Sequence, residues 1–272
     1  MEASKSVPDG DRRWSAPPVT VEEARTILKR LAASGRLKAY PSYPNLYHVV
    51  SPYANQKPIE EDEILMELHP YAALSHHSAL VFHQLTVQFP NEIHASIPTD
   101  GSSRISPIGL RNGEWFPGLS SIRGHLASSI EGVPIHWHRL EKFNGYSEYN
   151  PNGYPVRVTT PEKTLVDGLA SPEWCGGLTN VLQAWINAQD AISLQAVLML
   201  TDLQAVGILR QRVGYVLEKL GFSHPELDAW AAKAVRGGSS RLLASAAFAP
   251  EFSERWRLSI NAPTFPLEGG SE

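Results

Sequence analysis

The sequence predicts an α+β protein. A small N-terminal module of one helix and a two-stranded hairpin precedes a larger mixed α/β domain whose C-terminal half is helical. Three observations carry this reading. The segment from Val156 to Leu169 reads as a strand running straight into a capped helix. The charge of the chain reverses sign near Gln56 to Ile59. The apolar pattern changes from alternation before Pro161 to helical spacing after it.

The elements follow in order. Thr20 caps a helix from Val21 to about Ser34, with Glu22 and Glu23 in its first turn. Val21, Ala24, Ile27, Leu28 and Leu31 form its apolar stripe, and Gly35 ends it. Leu37 to Tyr40 and Leu46 to Val50 read as a hairpin about the turn at Pro41–Asn45. A helix followed by such a hairpin is the back half of a winged helix. Residues 1–18, polar and proline-rich, read as an irregular tail that supplies no further helices, so the module over 19–57 is a partial winged helix.

The second domain is expected over 58–262, with a flexible tail at 263–272. It opens with a helix from Glu60 to Leu68 and a second, capped by Ser75, from His76 to about Leu85. Strands are expected at Glu92–Ile97, Arg104–Leu110, Ile135–Leu140 and Tyr154–Thr159. At the next helix Thr160 is the N-cap and Pro161 takes the first helical position, where a missing N–H costs nothing. Glu162 then meets the positive end of the helix dipole. Helices are expected at Pro161–Ala170, Leu178–Ala188, Ser193–Met199, Asp202–Leu220 and Pro225–Val235, the last with a Ser223/Glu226 capping box. A closing strand is expected at Arg255–Asn261.

Composition narrows the class. The chain has 272 residues, 42% of them apolar, and a formal charge of −4. That suits one or two soluble domains. No apolar run reaches the roughly 18–20 residues of a membrane span, and Met1–Thr20 lacks a signal-peptide core. The single cysteine, Cys175, makes no internal disulfide and points to a reducing cytoplasm. Charge is local, however. Residues 12–57 hold eight Lys and Arg against two Glu, whereas residues 58–103 hold seven acids and no Lys or Arg.

That asymmetry makes the first module the candidate nucleic-acid surface. Arg25, Lys29 and Arg30 on the helix, with Arg36 and Lys38 on the wing strand, could neutralise phosphates, and Tyr43 at the hairpin tip could enter a minor groove. No catalytic, cofactor or metal set is expected. His76 and His83 share a helix face two turns apart, too far to grip one ion, and His77 points away. His136 and His138 share a strand face, but no carboxylate lies close in sequence. Glu162, Lys163 and Asp167 look like an acid–lysine set, yet the dipole explains Glu162. The Gly237–Ser240 stretch lacks the acidic pair a nucleotidyltransferase needs, and Cys175 has no neighbouring base.

Four segments resemble the AbiEi family of abortive-infection antitoxins and regulators. They are Tyr71–Leu80 (YAALSHHSAL), Val158–Asp167 (VTTPEKTLVD), Arg212–Gly221 (RVGYVLEKLG) and Trp256–Asn261 (WRLSIN), in the family's order. The resemblance implies a type IV toxin–antitoxin system of phage defence. It implies a winged helix on operator DNA, a C-terminal mixed domain, and a nucleotidyltransferase-type toxin encoded nearby whose operon the protein represses. The expected function is thus a non-enzymatic transcriptional regulator. One alternative is an interaction scaffold that has lost DNA binding, and another is a metal-dependent enzyme. The long apolar face of Asp202–Leu220 is a candidate surface for a homo-oligomer.

Overall fold

The computed structural model describes residues 20–40, 42–43, 46–50, 59–99, 105–109, 124–238 and 240–262. The tails expected at 1–18 and 263–272, together with Arg12, Arg13 and Lys57, lie outside the described residues. The fold is α+β, with a mixed six-stranded sheet and helices concentrated in the C-terminal half. It divides into two compact units, one of residues 1–71 with 101–127, the other of residues 72–100 with 128–272. The break expected near residue 58 therefore moves. The acidic helix after it groups with the N-terminal unit, and a later stretch of chain joins that unit as well. Charge reversal marked a change in surface, not a change in packing partner.

In the first unit, α1 (Val21–Ala33) begins at Thr20, whose hydroxyl accepts from the Glu23 N–H while the Glu23 carboxylate accepts from the Thr20 N–H. Gly35, at φ +73°, turns the chain out of the helix at no steric cost. Strands β1 (Leu37–Ala39) and β2 (Tyr47–Val49) then pair antiparallel, with Lys38 opposite His48. Helix α2 (Glu61–Leu68) buries Ile64, Leu65 and Met66.

The second unit builds its sheet from β3 (Ala73–Leu74), β4 (Ile93–Pro98), β5 (Ser129–Ile130), β6 (Val133–Leu140), β7 (Tyr146–Tyr149) and β8 (Val156–Thr159). Their order is β5-β6-β4-β3-β8-β7. Two neighbours run parallel, β4 with β6 and β3 with β8, and the others antiparallel. Helix α3 (His76–Phe82) connects β3 to β4. After β8 come α4 (Pro161–Ala170), a 3-10 turn (Pro172–Cys175), α5 (Leu178–Ala188), α6 (Leu194–Gln204), α7 (Gly207–Lys219) and α8 (Pro225–Ala232). A short pair, β9 (Phe252–Ser253) and β10 (Leu258–Ser259), closes the unit. The core lies among these helices, with Leu165, Leu169, Leu182, Trp185, Val213 and Trp256 at or near complete burial. Gly214 makes room for the Trp256 ring, because a Cβ there would stand 2.1 Å from it.

Several expected elements change. Residues 105–109 form no strand among the described residues. Helix α6 runs on past Met199 to Gln204 and stops where Ala205 turns left-handed at φ +57°. Asp202 therefore sits in the last turn of α6, paired with Arg210 in α7, and starts no helix of its own. The α8 cap is His224, whose Nδ1 accepts from the Glu226 N–H, and not Ser223. The closing strand shrinks to Leu258–Ser259 because residues 254–257 form the turn back from β9, with Arg257 at φ +50°. The apolar face of α7 is consumed internally, since Leu209, Val213, Val216 and Leu217 all lie in the core, so it offers no surface to a second copy. Among the described residues no helix is long and apolar enough to cross a membrane.

Candidate nucleic-acid interface and a histidine cluster

The five expected cations all reach solvent: Arg25, Lys29 and Arg30 on α1, Arg36 at the start of the hairpin and Lys38 on β1. Arg25 and Lys29, four residues apart, stand on one face of the helix, and Arg30 is turned about 140° from Arg25. Lys38 lies on β1, and Arg36 just before it accepts from the Val50 N–H at 2.8 Å through its carbonyl. Arg25 meets Glu22 at 3.4 Å, but both side chains are more than half exposed, so the contact is cheap to exchange for a phosphate. Tyr43 departs from expectation. Its side chain is 6% exposed and packs against Tyr40 with ring centroids 6.2 Å apart, so it holds the hairpin turn together and is not free to enter a groove.

A second grouping of polar side chains lies wholly within the second unit. Parallel pairing of β4 with β6 sets His94 beside His136 and Ser96 beside His138. Residues two apart on a strand share a face, so three imidazoles gather there. His94 Nδ1 lies 3.1 Å from His138 Nε2, and Glu92 Oε1 lies 3.3 Å from the other nitrogen of His94. His76 arrives from the junction of β3 and α3. Its backbone takes φ +50°, uncommon outside glycine, and its ring stacks on His138 with centroids 3.9 Å apart. A chain of hydroxyls backs it, with Ser96 Oγ donating to Ser75 Oγ at 2.8 Å and Ser75 Oγ lying 3.1 Å from His76 Nδ1. Trp174, on the 3-10 turn, covers His136 at 4.1 Å between centroids.

Burial is the main reason His76, His94 and His138 stay neutral, and repulsion from neighbouring imidazoles adds to it. His76 is pushed down to about 3 by burial, then by His94, Lys163 and His136. His94 is also lowered to about 3, by burial and then by His138, His136 and His77. His138 falls to about 3 through burial, His76 and His136, with Asp167 opposing. Lys163 and Asp167 are both buried and form an i,i+4 ion pair, to which Gln204 adds a 2.9 Å bond on Asp167.

The remaining candidates have structural duties. Glu162 accepts from the Ser193 N–H at 3.1 Å, a tie between helix starts beyond its dipole role. His77 Nε2 donates to the Gln88 carbonyl at 3.1 Å and His83 Nε2 to that of Thr159 at 2.7 Å. Cys175 is buried in the core, which raises its thiol pKa and keeps it protonated. Ser240 closes a turn by accepting from the Gly237 N–H and donating to the Val235 carbonyl.

No family model and no curated protein sequence matches the chain. Among solved structures, it is similar to the RV2827C protein from Mycobacterium tuberculosis. The TM-score is 0.53 at 15% sequence identity, covering 86% of this chain and 78% of that one. At that identity the likeness concerns the fold alone.

Sequence reasoning missed His94, Glu92 and the inward pairing of Lys163 with Asp167. A trace of each was present. Glu92 and His94 are two apart, as are His136 and His138, and Lys163 and Asp167 are four apart in a helix. What the sequence lacked was the adjacency of β4 and β6, which begin 40 residues apart.

Proposed function

We propose that the chain is a non-enzymatic, cytoplasmic DNA-binding regulator of the AbiEi antitoxin type, repressing its own operon. The observation that supports this reading is the exposure of Arg25, Lys29, Arg30, Arg36 and Lys38 on one helix and its adjoining hairpin. Each cation set on a phosphate releases counterions, so five such contacts would give a log-log salt slope of about −4.5. Tyr43 takes no part.

The test is a gel shift with the intergenic DNA upstream of the gene, over a range of salt. Arg25→Ala with Lys29→Ala should weaken binding at every sequence and reduce the slope by about 2, with the melting temperature unchanged. Binding with a slope equal to wild type would remove the module from the mechanism. A second reading, an interaction scaffold for a toxin encoded nearby, is favoured by a different observation. Met199 and Leu203 at the end of α6, and Val206 just before α7, expose large apolar side chains. Co-purification with the neighbouring gene product, and no shift of DNA, would select it.

A further inference from the structure

The geometry points to a transition-metal site in the second unit, of the zinc class, with His94 Nδ1 and His138 Nε2 as its protein donors and Glu92 as the group that orients His94. It is independent of the DNA-binding reading, which uses only the first unit.

Four observations converge. Two nitrogens bound to one tetrahedral zinc at 2.0–2.1 Å stand roughly 3.3 Å apart. His94 Nδ1 and His138 Nε2 stand 3.1 Å apart. Three imidazoles around one such ion have ring centroids separated by about 5 Å. Here the separations are 5.4 Å for His94 and His138, 4.6 Å for His136 and His138, and 5.6 Å for His94 and His136. A ligating histidine ordinarily turns its other nitrogen to a carboxylate, which fixes the tautomer and leaves the lone pair aimed at the metal. Glu92 Oε1 stands 3.3 Å from His94 Nε2, near enough to take that place once the ion is bound. An ion also needs an entry path. His136, His138 and Trp174 are half-buried, whereas His94, Ser75 and Ser96 behind them are buried.

Among the described residues no three His, Cys, Asp or Glu side chains already converge as a metal-holding set. The site is therefore a two-nitrogen chelate, and water or His136, after its ring rotates, completes the coordination. In the metal-free protein the two nitrogens share one proton. On binding, His138 moves that proton from Nε2 to Nδ1, so both ligands enter as neutral imidazoles and no proton is lost. The ion would tie β4 to β6 at the point where His76 stacks on His138, and so stabilise the second unit by mass action.

The experiment uses the full chain stripped with a chelator and titrated with Zn²⁺ by calorimetry, then with Co²⁺ followed by visible absorption. One ion per chain should bind, Co²⁺ should give the absorption of nitrogen coordination, and Zn²⁺ should raise the melting temperature. His138→Gln and His94→Gln should abolish stoichiometric binding. Glu92→Gln should weaken it about 10–100-fold, as loss of an orienting partner does. His125→Gln, exposed in the first unit, should change nothing. If His94→Gln fails to fold, the His138 and Glu92 variants decide, since both groups reach solvent. No saturable binding by the wild type overturns the site. So does binding that His138→Gln and Glu92→Gln both leave undiminished, which would mean an adventitious ion only.

Discussion

Helices α1 and α4 both start on a threonine whose hydroxyl accepts from the third backbone N–H of the helix, and there the likeness ends. Around α1 the lysine and arginines face water, and among the described residues Arg25 makes one long contact, to Glu22. In α4 Lys163 is turned inward, 5% exposed, and bound to Asp167 one turn on. The same local signal thus opens a helix that carries charge outward and a helix that neutralises it inside. A cap declares where a helix begins. What a charged residue on that helix does is settled by what the rest of the chain packs over it.

Acid should separate the two units most strongly. His76, His94 and His138, all in the second unit, stay neutral in the folded state down to about 3. In the unfolded chain a histidine takes up a proton near 6.5. Between those values the unfolded state binds more protons, so stability should fall as pH drops from about 6.5 towards 3. Urea melts of chelator-treated protein at several pH values should show the midpoint falling through that window, with a gentler fall in His94→Asn. A flat profile would mean that the cluster opens to water without loss. Next in size is the buried ion pair. Lys163→Met alone should cost about 3–5 kcal/mol, because it strands the Asp167 carboxylate, and Lys163→Met with Asp167→Leu should recover most of that. Equal losses in the single and double variants would show that packing, not charge, governs the position. The smallest effects should come from the caps. Thr160→Ala should cost about 1 kcal/mol in a denaturant melt. Thr20→Ala should leave the melt nearly unchanged and speed hydrogen exchange in α1, since that helix frays into solvent.

Much of the architecture was legible before the structure. The limits of α1 and α4 follow from Thr20 with Gly35 and from Thr160 with Pro161, because caps, prolines and glycines act within a few residues. The break between α6 and α7 was misplaced because it depends on Ala205 in a left-handed conformation, which alanine does not advertise. Tyr43 was read as exposed because a hairpin tip usually is, yet it lies against Tyr40. The exposure of Arg25 and Lys29 was readable from helical periodicity. The histidine cluster was not, because strand order is a long-range property: His136 and His138 showed their shared face, but their neighbour His94 depended on a parallel pairing no local pattern encodes.

The two units are interleaved along the chain: 1–71 belongs to the first, 72–100 to the second, 101–127 to the first again, and 128 onward to the second. The polypeptide passes between them three times, so no single cut releases either unit whole. A fragment starting at residue 128 lacks β3 and β4, and with them the middle of the sheet. Deletion mapping would therefore assign every function of this protein to every part of it. Only point substitutions can assign the proposed DNA contacts, the proposed metal site or a share of the stability to one unit.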